Sequence, residues 1–153
     1  MTRTPRSEVL DNGQIARILP HLPPFLMVDE VVSIDDQEIV AQKLVRADDP
    51  NVVAHYPASP LMPGVLIVEG MAQAGGLLAY HLGDFDPEQE LLLFMGIEQA
   101  RFRRPVRPGE LLRYEVRPLR RGSIYKLAAV ARVGDHVAAE ATLLAAIRPK
   151  END

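Results

Sequence analysis

The sequence predicts an α+β protein in which an antiparallel sheet curls around one long helix. Three observations carry that prediction. An apolar run rich in glycine and alanine extends from Val65 to about Leu82, long enough for a buried helix. Four strand-like runs follow it, separated by short turn-forming spacers, and a shorter pair of such runs precedes it. Helix, strand pair, helix and strand meander, in that order, make an α+β arrangement rather than an alternating α/β one.

The elements follow in chain order. "DNGQIARIL" opens with a capping-type start and carries Ile15, Ile18 and Leu19, so a short helix is expected until Pro20, Pro23 and Pro24 stop it. "FLMVDEVVSI" and "EIVAQKLV" are β-branched, apolar runs on either side of the turn-like "DDQ", the pattern of a hairpin. Prolines at 50, 57, 60 and 63 leave little room for regular structure between 48 and 64, which is expected as a shaped loop. The run from Val65 is apolar all round, so its helix should be buried on most faces. Gly70, Gly75 and Gly76 with Ala72, Ala74 and Ala79 are small enough to let a sheet approach, although each helical glycine costs about 1 kcal/mol. "LLLFMGIEQARFR", "ELLRYEVRPLR", "IYKLAAVARV" and "HVAAEATLLAAI" are then strands, joined through "RPVRPG", "RGS" and "GD".

Composition bounds the function. With 153 residues, 47% hydrophobic and 25% charged, the chain is expected to be one globular domain over 1–153, with tails at about 1–9 and 149–153. A net charge of -4 argues against a general nucleic-acid binder, which carries a basic footprint for phosphates. The absence of cysteine removes disulfides, thiolate metal sites and a thiol nucleophile, and suits a reducing cytoplasm. No secretory leader is evident, and no run reaches the roughly 18 apolar residues of a membrane span.

The chemistry concentrates in "HYPASPLMPGVLIVEGMAQAGG", residues 55 to 76. Glu69 lies one and a half turns into the apolar helix, where desolvation works against a charged carboxylate and favours a proton donor. Gln73, four residues on, shares its helix face and can bond the carboxyl group or a water beside it. His55 sits among prolines, and imidazole is the commonest general base near neutral pH. Gly64 precedes the helix, so N-terminal amides there can face an oxygen gaining negative charge. Arg101, Arg103, Arg104 and Arg107 form a basic cluster that, on charge alone, reads as a solvated strand end. His21, His81 and His136 receive no catalytic assignment.

"LPHLPPFLMVDEV", the 55–76 block and "FMGIEQARFRRPVRPGELL" together resemble the hot-dog-fold 3-hydroxyacyl-acyl carrier protein dehydratases of bacterial fatty acid synthesis. The likeness extends from Ile18 to about Glu140, and His55 and Glu69 stand at the family's separation with "MPG" and Gln73 in register. It implies a hot-dog fold and elimination of water from a 3-hydroxyacyl thioester to give a trans-2-enoyl thioester. His55 is then the base at C2, Glu69 the acid at C3, Gly64 the oxyanion donor and Gln73 the residue that positions the acid. No metal or other cofactor is implied, since the substrate rides on the phosphopantetheine of acyl carrier protein. The resemblance further implies a homodimer, also as a trimer of dimers, with His55 and Glu69 meeting across the interface. It places the four arginines at the mouth of an acyl tunnel, facing the carrier. The chain departs from the family at Leu22 and Pro23, at Glu30, and at Ala58, where the family usually has glycine; a positive φ there would strain the loop carrying His55. A hot-dog acyl thioesterase and a non-catalytic acyl-binding dimer partner are the alternatives.

Overall fold

The computed structural model describes residues 9 to 151. Asp11 opens α1 (Asn12–Ile18) with a reciprocal capping box: its carboxylate accepts from Gln14 N at 2.9 Å and Gln14 Oε1 accepts from Asp11 N at 2.9 Å. The hairpin β1 (Glu30–Ile34) and β2 (Ile39–Leu44) follows, then α2 (Pro50–His55) and the long α3 (Gly64–His81). Four strands complete the chain: β3 (Glu90–Phe102), β4 (Leu111–Arg120), β5 (Ile124–Val133) and β6 (His136–Pro149). They form one antiparallel sheet in the order β1-β2-β4-β5-β6-β3. α3 contacts β2 through β6 and is buried along almost its whole length, which is the hot-dog arrangement.

Three local expectations need correction. The first strand is shorter than "FLMVDEVVSI" suggested, because two backbone groups of its start are satisfied by a side chain instead of a sheet partner. Gln73 Oε1 accepts from Met27 N at 2.7 Å and Gln73 Nε2 donates to Phe25 O at 2.9 Å. The stretch 48 to 64 is not all loop: Asp49 caps α2 by accepting from Asn51 N at 2.9 Å, with Pro50 at the first helical position, where its missing N–H costs nothing. The tail expected from about 149 starts later, since Pro149 pairs with Glu90 and Lys150 N donates to Gln89 O at 2.9 Å. The expected N-terminal tail lies, except for Val9, outside the described residues.

Two glycines of α3 let the sheet approach the helix closely. A Cβ on Gly70 would stand 2.2 Å from Tyr114 Oη, and one on Gly75 would stand 2.5 Å from Leu127 Cδ1. Tyr114 is fully buried and its hydroxyl has no hydrogen-bond partner among the described residues, and desolvation pushes its pKa far above the ordinary tyrosine range. The two sheet edges differ. Among the described residues β3 pairs with β6 alone, and it exposes Leu93 (48%), Met95 (62%) and Ile97 (56%).

An ion pair closes the C-terminal end of α3. Arg121, in the turn between β4 and β5, grips Asp84 with Nε at 2.7 Å and Nη2 at 3.1 Å, and Tyr125 Oη also donates to that carboxylate. The Arg121 guanidinium holds the Asp84 carboxyl below its ordinary range. A carboxylate of depressed pKa stabilises the fold fully above its unfolded pKa of about 4, and that contribution is lost as pH falls through the lower folded value. Asp84→Asn should therefore cost about 1 kcal/mol at pH 7, a partly exposed bidentate pair. Urea midpoints should show the two proteins converging below pH 4; a gap that persists in acid would assign the effect to shape rather than charge.

Candidate active site

The base side is built by α2 and the start of α3. Val52 anchors α2 in the core, and His55 is the last residue of that helix instead of lying in a loop. Its Nδ1 lies 3.2 Å from Leu61 O. A carbonyl only accepts, so Nδ1 carries the hydrogen of this contact, and in the neutral ring Nε2 is the nitrogen with the lone pair. Gly64 is the first residue of α3, after Pro63, and no side chain caps that helix end, which leaves its amides open to an anionic oxygen. A Cβ on Gly64 would stand 2.9 Å from the ring of Phe102, so glycine is what lets β3 cross the helix start. His55, Gly64, Ile67, Phe102, Arg103 and Arg104 line a cavity of about 340 Å³.

The acid side lies elsewhere on α3. Glu69, Ala72, Gln73 and Gly76, spaced i, i+3, i+4 and i+7, form one stripe facing a second cavity of about 400 Å³, whose other walls include Leu19 and Leu92. Gln73 Nε2 donates to Glu69 Oε1 at 3.1 Å while its other bonds tie α3 to residues 25–27, so the carboxyl is held by a fixed amide. Glu69 is half-buried, its side chain 28% exposed, so the single chain does not seal it as the apolar run suggested. His21 completes this group: its Nε2 lies 3.6 Å from Glu69 Oε1, and its Nδ1 is buried with no hydrogen-bond partner among the described residues. Burial lowers its pKa, partly offset by the Glu69 charge. Sequence reasoning missed His21, because no spacing rule joins a residue after α1 to one in α3.

Residues 19–142 match the FabA-like domain. The chain is 45% identical over 142 residues to "3-hydroxyacyl-[acyl-carrier-protein] dehydratase FabZ" of Acidovorax sp. (strain JS42), covering 91% of this chain and 98% of that relative. The FabA-like family is therefore established on both counts. The chain belongs to it. The FabZ protein of Myxococcus xanthus is 42% identical over 146 residues, covering 94% and 95% of the two chains. Among solved structures, the dehydratase heterocomplex ApeI:P from Xenorhabdus doucetiae superposes with a TM-score of 0.75 at 20% identity, over 90% of this chain and 91% of that one. A mutant thioesterase from Pseudomonas aeruginosa superposes with a TM-score of 0.69 at 17% identity, over 92% and 95%. Both of these share the fold with the FabA-like chain.

Within this FabA-like chain the four expected residues fall into two groups. His55 and Gly64 line one cavity, and Glu69 and Gln73 line the other. Gly64 and Glu69 are five positions apart, roughly 140° round a helix at about 100° per residue. The arginines divide as well. Arg103 and Arg104 border the His55 cavity, with Arg103 Nη2 bonded to Glu140 Oε1 at 2.5 Å, whereas Arg101 lies on the outer face of the sheet beside Glu115 and Glu140. Arg107 is exposed in the turn before β4, where its backbone N–H donates to Glu110 Oε1 at 2.7 Å. Ala58 is unstrained: among the described residues the only non-glycine with positive φ is Gln99, at a bulge in β3. Glu30 accepts from Gln42 across the hairpin, and Leu22 is 76% exposed. Among the described residues no group of three or more His, Cys, Asp or Glu is arranged to hold a metal ion.

Proposed function

We propose that the chain dehydrates 3-hydroxyacyl thioesters carried on acyl carrier protein, in sites that two copies of it build together. The observation that carries the shared site is the separation of His55 with Gly64 from Glu69 with Gln73. A second copy related by a two-fold axis brings each half-site to the other's complement. The free edge of β3, with its apolar side chains, supports the same pairing, because an exposed hydrophobic edge strand is a template for another strand.

In the reaction, His55 Nε2 takes the proton from C2. The negative charge that develops on the thioester oxygen is met by the amide of Gly64 at the positive end of α3. The C3–O bond breaks as Glu69 gives its proton to the departing hydroxyl, which leaves as water. The proton gained by His55 then restores Glu69, so the cycle is balanced and draws on no further reactant. Gln73 holds the carboxyl through its amide N–H with His21 beside it, and the apolar wall of the second cavity suits an acyl chain. Arg103 and Arg104 at the first cavity suit an acidic carrier and the phosphate of its phosphopantetheine. Arg101 has its own acidic neighbours and stands apart from that mouth. The reaction calls for no metal, and a cytoplasmic setting fits it; among the described residues no helix is long and apolar enough to cross a membrane.

Mixing separates a shared site from a site within one chain. His55→Ala and Glu69→Gln proteins, co-refolded, place both defects in one site of each mixed dimer and leave the other intact. Half of randomly formed dimers are mixed, and one of two sites works in each, so roughly a quarter of wild-type activity is expected. The readout is hydration of a short trans-2-enoyl thioester, followed by loss of ultraviolet absorbance. Activity that stays at the level of the single mutants, with subunit exchange verified by mass spectrometry, overturns the shared site. Release of free thiol instead would mark a thioesterase.

A further inference from the structure

Lys43 is out of place by composition. β2 turns Ile39, Ala41 and Lys43 inward, and the lysine is 7% exposed. An ammonium group held that far from water needs a counter-charge. Its counter-charge is Asp49, with Nζ 3.5 Å from Oδ2 and both side chains 8% exposed. The same carboxylate has a second duty, since Oδ1 accepts from Asn51 N at 2.9 Å and so starts α2. Asn51 in turn donates through Nδ2 to Pro24 O at 2.8 Å.

A helix of six residues does not persist on its own, so α2 takes its direction from what holds its ends. His55 is its last residue, six positions beyond Asp49 and therefore about 9 Å along the axis. A tilt of roughly 6° at the cap displaces a group at that distance by about 1 Å, and a misplacement of that size can cost a reaction about a hundredfold. A buried ion pair is a poor device for stability, because apolar replacements of similar volume are often as stable or more so. It is well suited to fixing one direction of a short helix.

From this we infer that Lys43 and Asp49 are positioning residues for the base: Lys43 fixes the carboxylate, the carboxylate fixes the start of α2, and α2 aims His55. The inference rests on the reading of His55 as the base, so His55→Ala is measured beside the variants that test it. Lys43→Met with Asp49→Asn removes both charges at once and keeps a good capping residue on α2. The double variant should unfold at a urea concentration close to that of the wild type, with KM within about twofold and kcat lowered by roughly 10 to 100-fold. Lys43→Arg, which keeps the charge, should recover most of that kcat.

A folded double variant with wild-type kcat overturns the inference, as does a kcat that falls only in proportion to the folded fraction. If that double variant does not fold, Lys43→Leu with Asp49→Ser, which also removes both charges and keeps a capping residue, carries the same test, and an undiminished kcat in that protein is equally fatal. An active His55→Ala protein would instead remove the base assignment itself. An inactive His55→Ala beside a fully active double variant removes only the role of the buried pair.

Discussion

Replacing His55 by alanine is expected to lower kcat for a 3-hydroxyacyl thioester by roughly 10² to 10⁴-fold, the range that a positioned general base supplies. The fold should survive, because the side chain is exposed at the end of α2 and its removal opens no cavity in the core. Loss in kcat and in kcat/KM together is the expected pattern for a group that acts in the transition state. Glu69 gives a finer test. Glutamine keeps its shape and has no proton to give, whereas aspartate keeps the acid on a shorter stem, so Glu69→Gln should be the worse catalyst of the two. A folded His55→Ala enzyme at the wild-type rate would remove the base from the mechanism. Equal rates for the two Glu69 variants would reduce that residue to a holder of water.

Gly70→Ala should be the most damaging single methyl group in this protein. Its Cβ would stand 2.2 Å from Tyr114 Oη and 2.3 Å from Tyr114 Cζ, and the ring has nowhere to go because Tyr114 is fully buried under α3. Overpacking a rigid core costs about 1 to 3 kcal/mol and occasionally more. The roughly 1 kcal/mol that alanine gains over glycine in a helix offsets only part of that. A net loss of about 2 kcal/mol or more is expected in urea unfolding. Tyr114→Phe, by contrast, removes a buried hydroxyl without a partner among the described residues, and should be neutral or stabilising. A Gly70→Ala protein as stable as the wild type would mean that sheet and helix can separate freely at this point.

The sheet was legible because its signals are local. "GD" between two apolar runs makes a tight hairpin whichever fold surrounds it, and β5 and β6 pair from Val133 and His136 outward. The buried helix was legible from composition, and the glycines within it from the need for close approach. What sequence reasoning lost depends on distant partners. Residues 25–27 are apolar enough for a strand, yet Gln73 reaches them from α3 and takes their backbone bonds. α2 was lost for a different reason: Asp49 followed by Pro50 is a helix start, but the later prolines outweighed it in the reading. The roles proposed for Glu69 and His55 rest on residue type and family register. That each faces a different cavity follows from helix rotation and the course of β3, neither of which the spacing of 14 residues reveals.

The proposed sharing of each site between two copies has a consequence for inheritance. An allele with His55→Ala and an allele with Glu69→Gln would each be silent as a pure stock, yet together in one cell they would partly complement. An allele carrying both changes behaves in the opposite way. Its product spoils both sites of every dimer it enters, so in a cell expressing it equally with the normal gene only about a quarter of dimers remain competent. Two lesions that are recessive apart become dominant when they are linked on one chain.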